Sequence, residues 1–542
     1  MKFAYIITIA LLVLVSAIRD GWSADVPSML DTDSANTSQQ WHAIPVFTVG
    51  DQISGYTAPG RLDGIGAFAY QNDEVRILVN HELKANKAYS YKLANGTELT
   101  GARISFFDIR KETSTDNFII TNAGLAYDTI YDREAKLVSN AAQINEEKNQ
   151  KLNRQKGLSR FCSGRSIQAG TLGFSDDIYF AGEEIGTKKH PHGGTIWVLD
   201  VKNRTLHAAP DLGRGAWENV TPIEAGSKNT IALLMGNDSA PAPLYLYIGK
   251  KSSESEKSRN FLSNNGLSGG QLYCWKSEAG HTSPETFNKT GNTSGGNFIP
   301  LDNRSPQQAG KDGYDRQGYP DSDTLSQSAF NKGCFQFSRL EDLHNDPVNP
   351  GRAVFADTGQ GLIHPANDWG TIHIIDINFD KQTDTKPGPF KAVIRIAYDS
   401  DDVNNRDEGI RSPDNLIWAD NGMIYVQEDR ATRLNDFGTN GIEASIWQFD
   451  PKSAKAARIA EINRKIVLPE GATDKNSGTI GTWETSGILD VTRYFDTIPG
   501  ETLLVGVVQA HKVNGGAIIG GKNLLVESGQ LIFLTNKQDQ KD

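Results

Sequence analysis

The 542-residue chain is poor in sulfur, with three cysteines and four methionines. Three cysteines are too few for a disulfide-framed fold, and an odd count leaves at least one thiol outside any bridge within the chain. Positive charge is short as well. There are 55 Lys and Arg against 66 Asp and Glu, a formal net charge of −11. Without a basic footprint the chain is no general nucleic-acid binder, although bound cations can reverse the local field for an anionic substrate. Past the N-terminus there is no apolar run of membrane-spanning length, so the mature chain is expected to have no transmembrane domain. Neither HExxH nor paired CxxC occurs, and GGKN near the C-terminus lacks the Ser/Thr and flanking context of a phosphate loop. GLSGG matches GxSxG around Ser268, but it leads from a polar run into QLYCW and reads as a turn, not a nucleophile elbow.

What is present begins with an export signal. Lys2 precedes FAYIITIALLVLVSAI, the length of a signal-peptide apolar region and short for a membrane span. Residues 1–24 read as that signal, with cleavage after Ala17 or near Ser23 and Ala24; an uncleaved anchor is the other reading. Residues 25–542 then form one exported domain, periplasmic or extracellular. Cys274 and Cys334 bracket the most polar stretch, an insertion at about 277–332, and could close it as a disulfide. Cys162 would be left over, and a free thiol in an oxidising compartment calls for burial or a metal.

Gly is abundant at 53 residues, and short apolar runs recur. Several end abruptly in polar groups: RILVNHE, IYFAGEE, IALLMGND, AVFADTGQ, IYVQED and LLVGVVQAH. Each is followed by a second type of strand: ARISFFDI, GGTIWVLD, GGQLYCW, WGTIHIID, EASIWQFD and SGQLIFLT. About six such units predict an all-β, six-bladed β-propeller with long inter-strand insertions; five and seven are the neighbouring counts. Equivalent strand ends would then meet around one axis and bring together Glu82, Glu184, Asp238, Asp357 and either Glu428 or Asp429. So many carboxylates require cations or shifted pKa values. Oxygen ligands suit Ca2+, and a thiolate extends the site toward iron. The plainer alternative makes each acidic end a solvated turn. In VNHEL, alternation puts Asn80 and Glu82 on one face and His81 on the other. FSRLEDL puts Arg339 and Glu341 on one side of an extended segment, Glu341 fit to ligate a cation and Arg339 to hold phosphate through its rigid fork. Asp414 and Asn415 follow Pro413 and flank the same hairpin as Glu428 and Asp429. LGRGAWENV carries Arg214, Trp217 and Glu218, with Trp217 read as packing.

In this combination the sequence resembles the PhoX-type alkaline phosphatases. The matching pieces run in order through most of the chain: LDGIGAF with VNHEL, FCSG with AGEE, LGRGAWENV, FSRLEDL before GRAVFADTG, SPDNLIWADNGMIYVQED, and ETLLVGVVQAH. The resemblance implies a secreted six-bladed propeller carrying Ca2+ and Fe3+. Cys162 becomes an iron ligand, and Asn80, Glu82, Glu183, Glu184, Asp238, Glu341, Asp414 and Glu428 become metal ligands. Arg339 and Glu341 become catalytic, with phosphomonoester hydrolysis through a metal-bound oxygen nucleophile and a small phosphorylated substrate. The sequence departs from the family after Cys162, where the segment before AGEE is longer, and at Trp217, where the family has His. It also lacks the twin-arginine export pattern. The rival readings are a non-catalytic, calcium-braced propeller that joins a cell-surface assembly, and a lactonase or phosphodiesterase on the same scaffold.

Overall fold

The computed structural model describes residues 27–536, apart from residues 72, 112–116, 145–155, 188–192, 253–259, 380–387, 430–436, 438–440, 496 and 519–523. The expected export signal lies outside the described residues. Among the described residues, no helix is long and apolar enough to cross a membrane.

The apolar runs form strands, and the fold is mostly β. Leu62–Ala69, Val75–His81, Arg103–Lys111 and Phe118–Leu125 make one antiparallel sheet. Phe161–Ile167, Ile178–Glu183, Ile196–Asp200 and Thr205–Ala208 make a second, with Thr129–Tyr131 added at its edge. Pro413–Trp418, Ile424–Glu428, Ser445–Asp450 and Lys455–Ile462 make another, edged by Leu30–Asp31. In the last of this series, Glu484–Asp490, Leu503–Ala510 and Ser528–Thr535 are joined by His42–Thr48, which ties the two ends of the chain together.

Between these lies a nine-stranded sheet. Its two flanks start at Trp217–Ile223 and Leu340–Asn345, and Thr293–Leu301 welds them by pairing with Gln271–Ser277 on one side and Phe390–Asp399 on the other. The stretch expected as a polar insertion therefore supplies a doubly paired strand. It also supplies the helix Ser322–Asn331, which starts where Asp321 accepts a hydrogen bond from Thr324 N. Cys274 and Cys334 are bridged, which fastens that helix's exit to the sheet.

Many strands are apolar without alternation because both faces of their sheets are covered. Thr230–Asn237 is buried at every position. The apolar clusters sit between sheets or between the two flanks of the nine-stranded one: Ile178 and Val198 pack with Val220 and Met235, Leu234 and Leu246 of one flank with Phe355 and Ile394 of the other, and Val354 and Ile372 with Leu416 and Val426. Six strands line the middle. Leu62–Ala69 lies beside Phe161–Ile167, followed in turn by Trp217–Ile223, Leu340–Asn345, Pro413–Trp418 and Glu484–Asp490, and the last contacts the first.

Candidate metal centre

A repeated irregularity at one end of these six strands builds the site. In five of them the first residue pairs with the neighbouring strand, the next two are skipped, and pairing resumes at the fourth. Skipped residues in a bulge leave the alternation of the strand, so a polar side chain can be aimed inward. The first skipped residue is Asp63, Cys162, Glu218, Glu341 or Asp414 in the five strands. The last four of these line one cavity of about 370 Å³. Asp63 is fully buried beside them, accepting hydrogen bonds from Cys162 Sγ at 3.3 Å, Ser486 Oγ at 2.8 Å and Gln509 Nε2 at 3.0 Å.

The second strand of each unit ends on a residue paired with the first residue of the inner strand: His81 with Leu62, Glu183 with Phe161, Asn237 with Trp217, Asp357 with Leu340, and Glu428 with Pro413. Four of these side chains clasp the backbone that leads into the inner strand. Glu183 accepts from Ser159 N at 3.1 Å, Asn237 from Ala216 N at 2.9 Å, Asp357 from Ser338 N and Arg339 N at 2.9 Å each, and Glu428 from Arg411 N at 2.8 Å. In four of the five units the following residue reaches the cavity, Glu82, Glu184, Asp238 or Asp429; in the fifth it is Thr358, which does not line it. The amide of each of the four is tied to the carbonyl of the residue just before the inner strand, that of Arg61, Arg160, Ala216 or Ser412.

The cavity thus collects eight carboxylates and one thiol against three arginines and one histidine. Burial sets the electrostatics. Burial raises the pKa values of Glu218, Glu341 and Asp414, and neighbouring acids add to it: Glu341 on Glu218, Asp238 on Glu341, and Glu341 with Glu218 on Asp414; burial with the nearby Asp63 raises the Cys162 thiol. Asp238 is also buried, yet Arg339 holds its pKa low through bonds of 2.8 and 3.0 Å. His511 lies between Glu527 at 2.5 Å and Glu484 at 3.0 Å; burial opposes its charge, but these carboxylates raise it to about 9.

Among the described residues, two sets of donors lie close enough to hold a metal ion, each with ligand atoms within 4.8 Å of one another: Cys162, Glu184 and Glu218, and Glu218, Glu341 and Asp414. They share Glu218, whose Oε2 is buried without a hydrogen-bond partner. Glu341 Oε1 lies 2.9 Å from Arg339 as an ion pair but lacks hydrogen-bond alignment. Buried acceptors left in this state are costly, and a cation satisfies them.

Of the residues expected at the site, Glu82, Cys162, Glu184, Asp238, Arg339, Glu341 and Asp414 come together in the cavity. Glu183, Asp357 and Glu428 do not, because each is a clasping residue whose carboxylate is taken up by backbone amides. Glu428 also accepts from Trp447 Nε1 at 2.9 Å and Ser445 N at 3.0 Å, and pairs with Arg411. Asn80 is buried behind the wall, where its Nδ2 donates to the Cys162 and Ser163 carbonyls at 2.8 and 3.0 Å and so steadies the bulge. Trp217 is packing, with Nε1 on the Gly213 carbonyl at 3.3 Å.

Glu218, Asp429, Glu484, His511, Arg61 and Arg160 also line the cavity. Glu218 was findable. The inner strands begin RLDG, RFCS, AWEN, RLED and SPDN, and its acid stands third in that recurring tetrad. Glu484 and His511 break the pattern, since the sixth strand shifts register later, after Ser486.

The family described as Alkaline phosphatase PhoX matches residues 192–470. No curated protein matches the chain. Among solved structures, Pseudomonas fluorescens PhoX in complex with vanadate, a transition state analogue, is similar with a TM-score of 0.60 and 14% identity, over 95% of this chain and 98% of that one. An aldose sugar dehydrogenase from Streptomyces coelicolor is similar over 69% of this chain and 98% of its own, at 12% identity and a TM-score of 0.25. A putative 6-phosphogluconolactonase from Bacteroides fragilis NCTC 9343 is similar over 77% and 97%, at 12% identity and the same TM-score of 0.25. At those scores the last two bear on neither fold nor function.

Proposed function

Since this chain belongs to the PhoX family, we propose that it is an exported, metal-dependent phosphomonoester hydrolase on a six-bladed β-propeller. The closed succession of six inner strands supports the propeller reading. The observation that carries the function is the pair of donor sets sharing Glu218, with its unpartnered buried oxygen, in a cavity also lined by Arg339.

The donor chemistry fits two kinds of ion. Cys162 with Glu184 and Glu218 offers a thiolate and carboxylates, which suits Fe3+; Glu218, Glu341 and Asp414 offer oxygen alone, which suits Ca2+. Bound there, the ions would supply Lewis acidity for the phosphoryl oxygens and lower the pKa of a water. The protein's own groups do the rest. Asp238 grips the Arg339 guanidinium along one edge and fixes its plane, so the fork is preorganised to bind phosphoryl oxygens. His511, protonated up to about pH 9, keeps a positive charge beside the cavity under alkaline conditions. Before an ion binds, Asp63 accepts the hydrogen bond of the Cys162 thiol and positions the sulfur, a bond given up when the thiolate becomes a ligand.

The test is turnover of an aryl phosphomonoester at alkaline pH, with metals retained, then chelated, then restored. We expect activity that follows metal content, and Arg339→Gln to lower kcat about 10²–10³-fold. No turnover at full metal occupancy overturns the hydrolase. If chelation then lowers the melting temperature, the ions brace the fold without catalysis.

A further inference from the structure

Arg61 and Arg160 occupy the same place in two neighbouring units, the residue before the inner strands Leu62–Ala69 and Phe161–Ile167. Both have left-handed backbones, with φ of 57° and 51°. That region is sterically unfavourable for a long L side chain, and it is retained where the surroundings over-determine it. Ser412, before Pro413–Trp418, has the same backbone with φ of 43°, so the bend belongs to the entry into these strands, and what sets the two arginines apart is that they face carboxylates. Arg61 reaches Glu82 Oε2 at 3.2 Å and Glu527 Oε1 at 2.8 Å. Arg160 reaches the other oxygen of Glu82 at 2.8 Å, and through Nε it reaches Glu184 Oε2 at 2.9 Å. Each guanidinium bridges two acids, and each oxygen of Glu82 belongs to a different arginine.

Around Glu218 the arrangement is the opposite. Its Oε2 has no partner, and its neighbours are Cys162, Glu341 and Asp414. The cavity therefore has two tiers. In the outer one the positive charge is built into the chain; around Glu218 the one arginine at hand, Arg339, is gripped by Asp238 and meets only Glu341, so the unpartnered Glu218 oxygen is left for a cation from outside. A guanidinium bridging two carboxylates meets their lone pairs with one positive charge, so the two arginines together supply the charge of one Ca2+, and unlike an ion they cannot dissociate.

We propose that Arg61 and Arg160 are resident cations of the outer tier, holding Glu82 between them in place of a metal ion and leaving metal uptake to Cys162, Glu184, Glu218, Glu341 and Asp414. This deepens the metal-binding reading above and rests on it only for the native occupancy. Neutralising one arginine removes its charge but leaves its two carboxylates facing each other, which creates a vacancy for a divalent cation.

The test uses the purified full chain, stripped of metal and titrated with Ca2+ by calorimetry, with elemental analysis after dialysis. Arg160→Gln is expected to bind one more Ca2+ per chain than the parent, and its melting temperature to climb more steeply with Ca2+. Arg160→Lys, which keeps the charge, is expected to bind the parental number. Arg61→Gln, which frees Glu82 and Glu527, provides a second measurement should Arg160→Gln fold poorly. Equal stoichiometry in the parent and both Gln variants overturns the proposal. A parent that binds no metal beside a Gln variant that binds one Ca2+ sinks the metal reading of the native site but leaves the resident-cation assignment standing.

Discussion

The carboxylate of Glu428 accepts from Arg411, from Trp447 Nε1 and from two backbone amides inside its sheet, while Asp429, one residue later, reaches the cavity. Alternation along a strand separates the two side chains, and the pairing of Glu428 with Pro413 decides which one turns inward. Arg411 is fully buried and also meets Asp407 at 2.7 Å. Deleting Glu428 would leave a buried guanidinium short of one counter-charge, a loss of about 3–5 kcal/mol. Glu428→Ala is therefore expected to unfold at markedly lower urea concentration, and Asp429→Asn to stay within about 1 kcal/mol of the parent while altering metal content. Urea unfolding with elemental analysis of both variants checks this, and equal destabilisation of the two would contradict the separation.

The bulge is the element that turns ordinary strands into a site, and it depends on close approach between neighbours. A Cβ on Gly64, in the first bulge, would fall 2.1 Å from Gly164 N and 2.7 Å from the Cys162 carbonyl. Those are backbone atoms that cannot swing aside. Gly64→Ala is expected to push the two inner strands apart, cost about 1–3 kcal/mol or more in denaturant unfolding, and lower the metal bound through Cys162. Parental stability and metal content would show that the approach does not matter. The same element explains what was legible in the sequence. The strand character of the chain and the cavity acids Glu82, Glu184 and Asp238 follow from short apolar runs with polar ends, because the units repeat one local solution. Which of two adjacent acids faces inward depends on a register shift between strands, and periodicity cannot report it. The sequence therefore offers Glu183 together with Glu184, and Glu428 with Asp429 as its alternate, while only the second of each pair lines the cavity. Thr293–Leu301 was hidden because TSGGNFIPL is polar for half its length, and its strand character comes from hydrogen bonds to partners on both sides.

At the scale of the whole molecule, the cavity makes the metal-stripped protein sensitive to alkaline pH. Glu218, Glu341, Asp414 and Glu184 have native pKa values raised by burial, so the folded chain holds protons that the unfolded chain has already released. Their native form is favoured at low pH and penalised as pH rises. His511 acts in the same direction: its native pKa of about 9 exceeds the ordinary 6.5, so its contribution is complete below about 6.5 and lost as pH climbs through 9. Glu527 behaves oppositely, its native value lowered to about 2 by His511 despite burial, so it gives way only in acid. Above neutral pH only the raised groups are still titrating, and the unfolded state binds fewer protons than the native one. The melting temperature of the chelated protein is therefore expected to fall steadily from pH 6 to 9. His511→Gln should remove part of the slope, since its shift corresponds to about 3 kcal/mol. Saturating Ca2+ should flatten or reverse the slope, because the ion binds the ionised carboxylates and competes with the protons. Calorimetric melts across that range, with and without Ca2+, measure all three; a chelated protein that grows more stable with rising pH would mean that the buried acids of the cavity are already ionised in the fold.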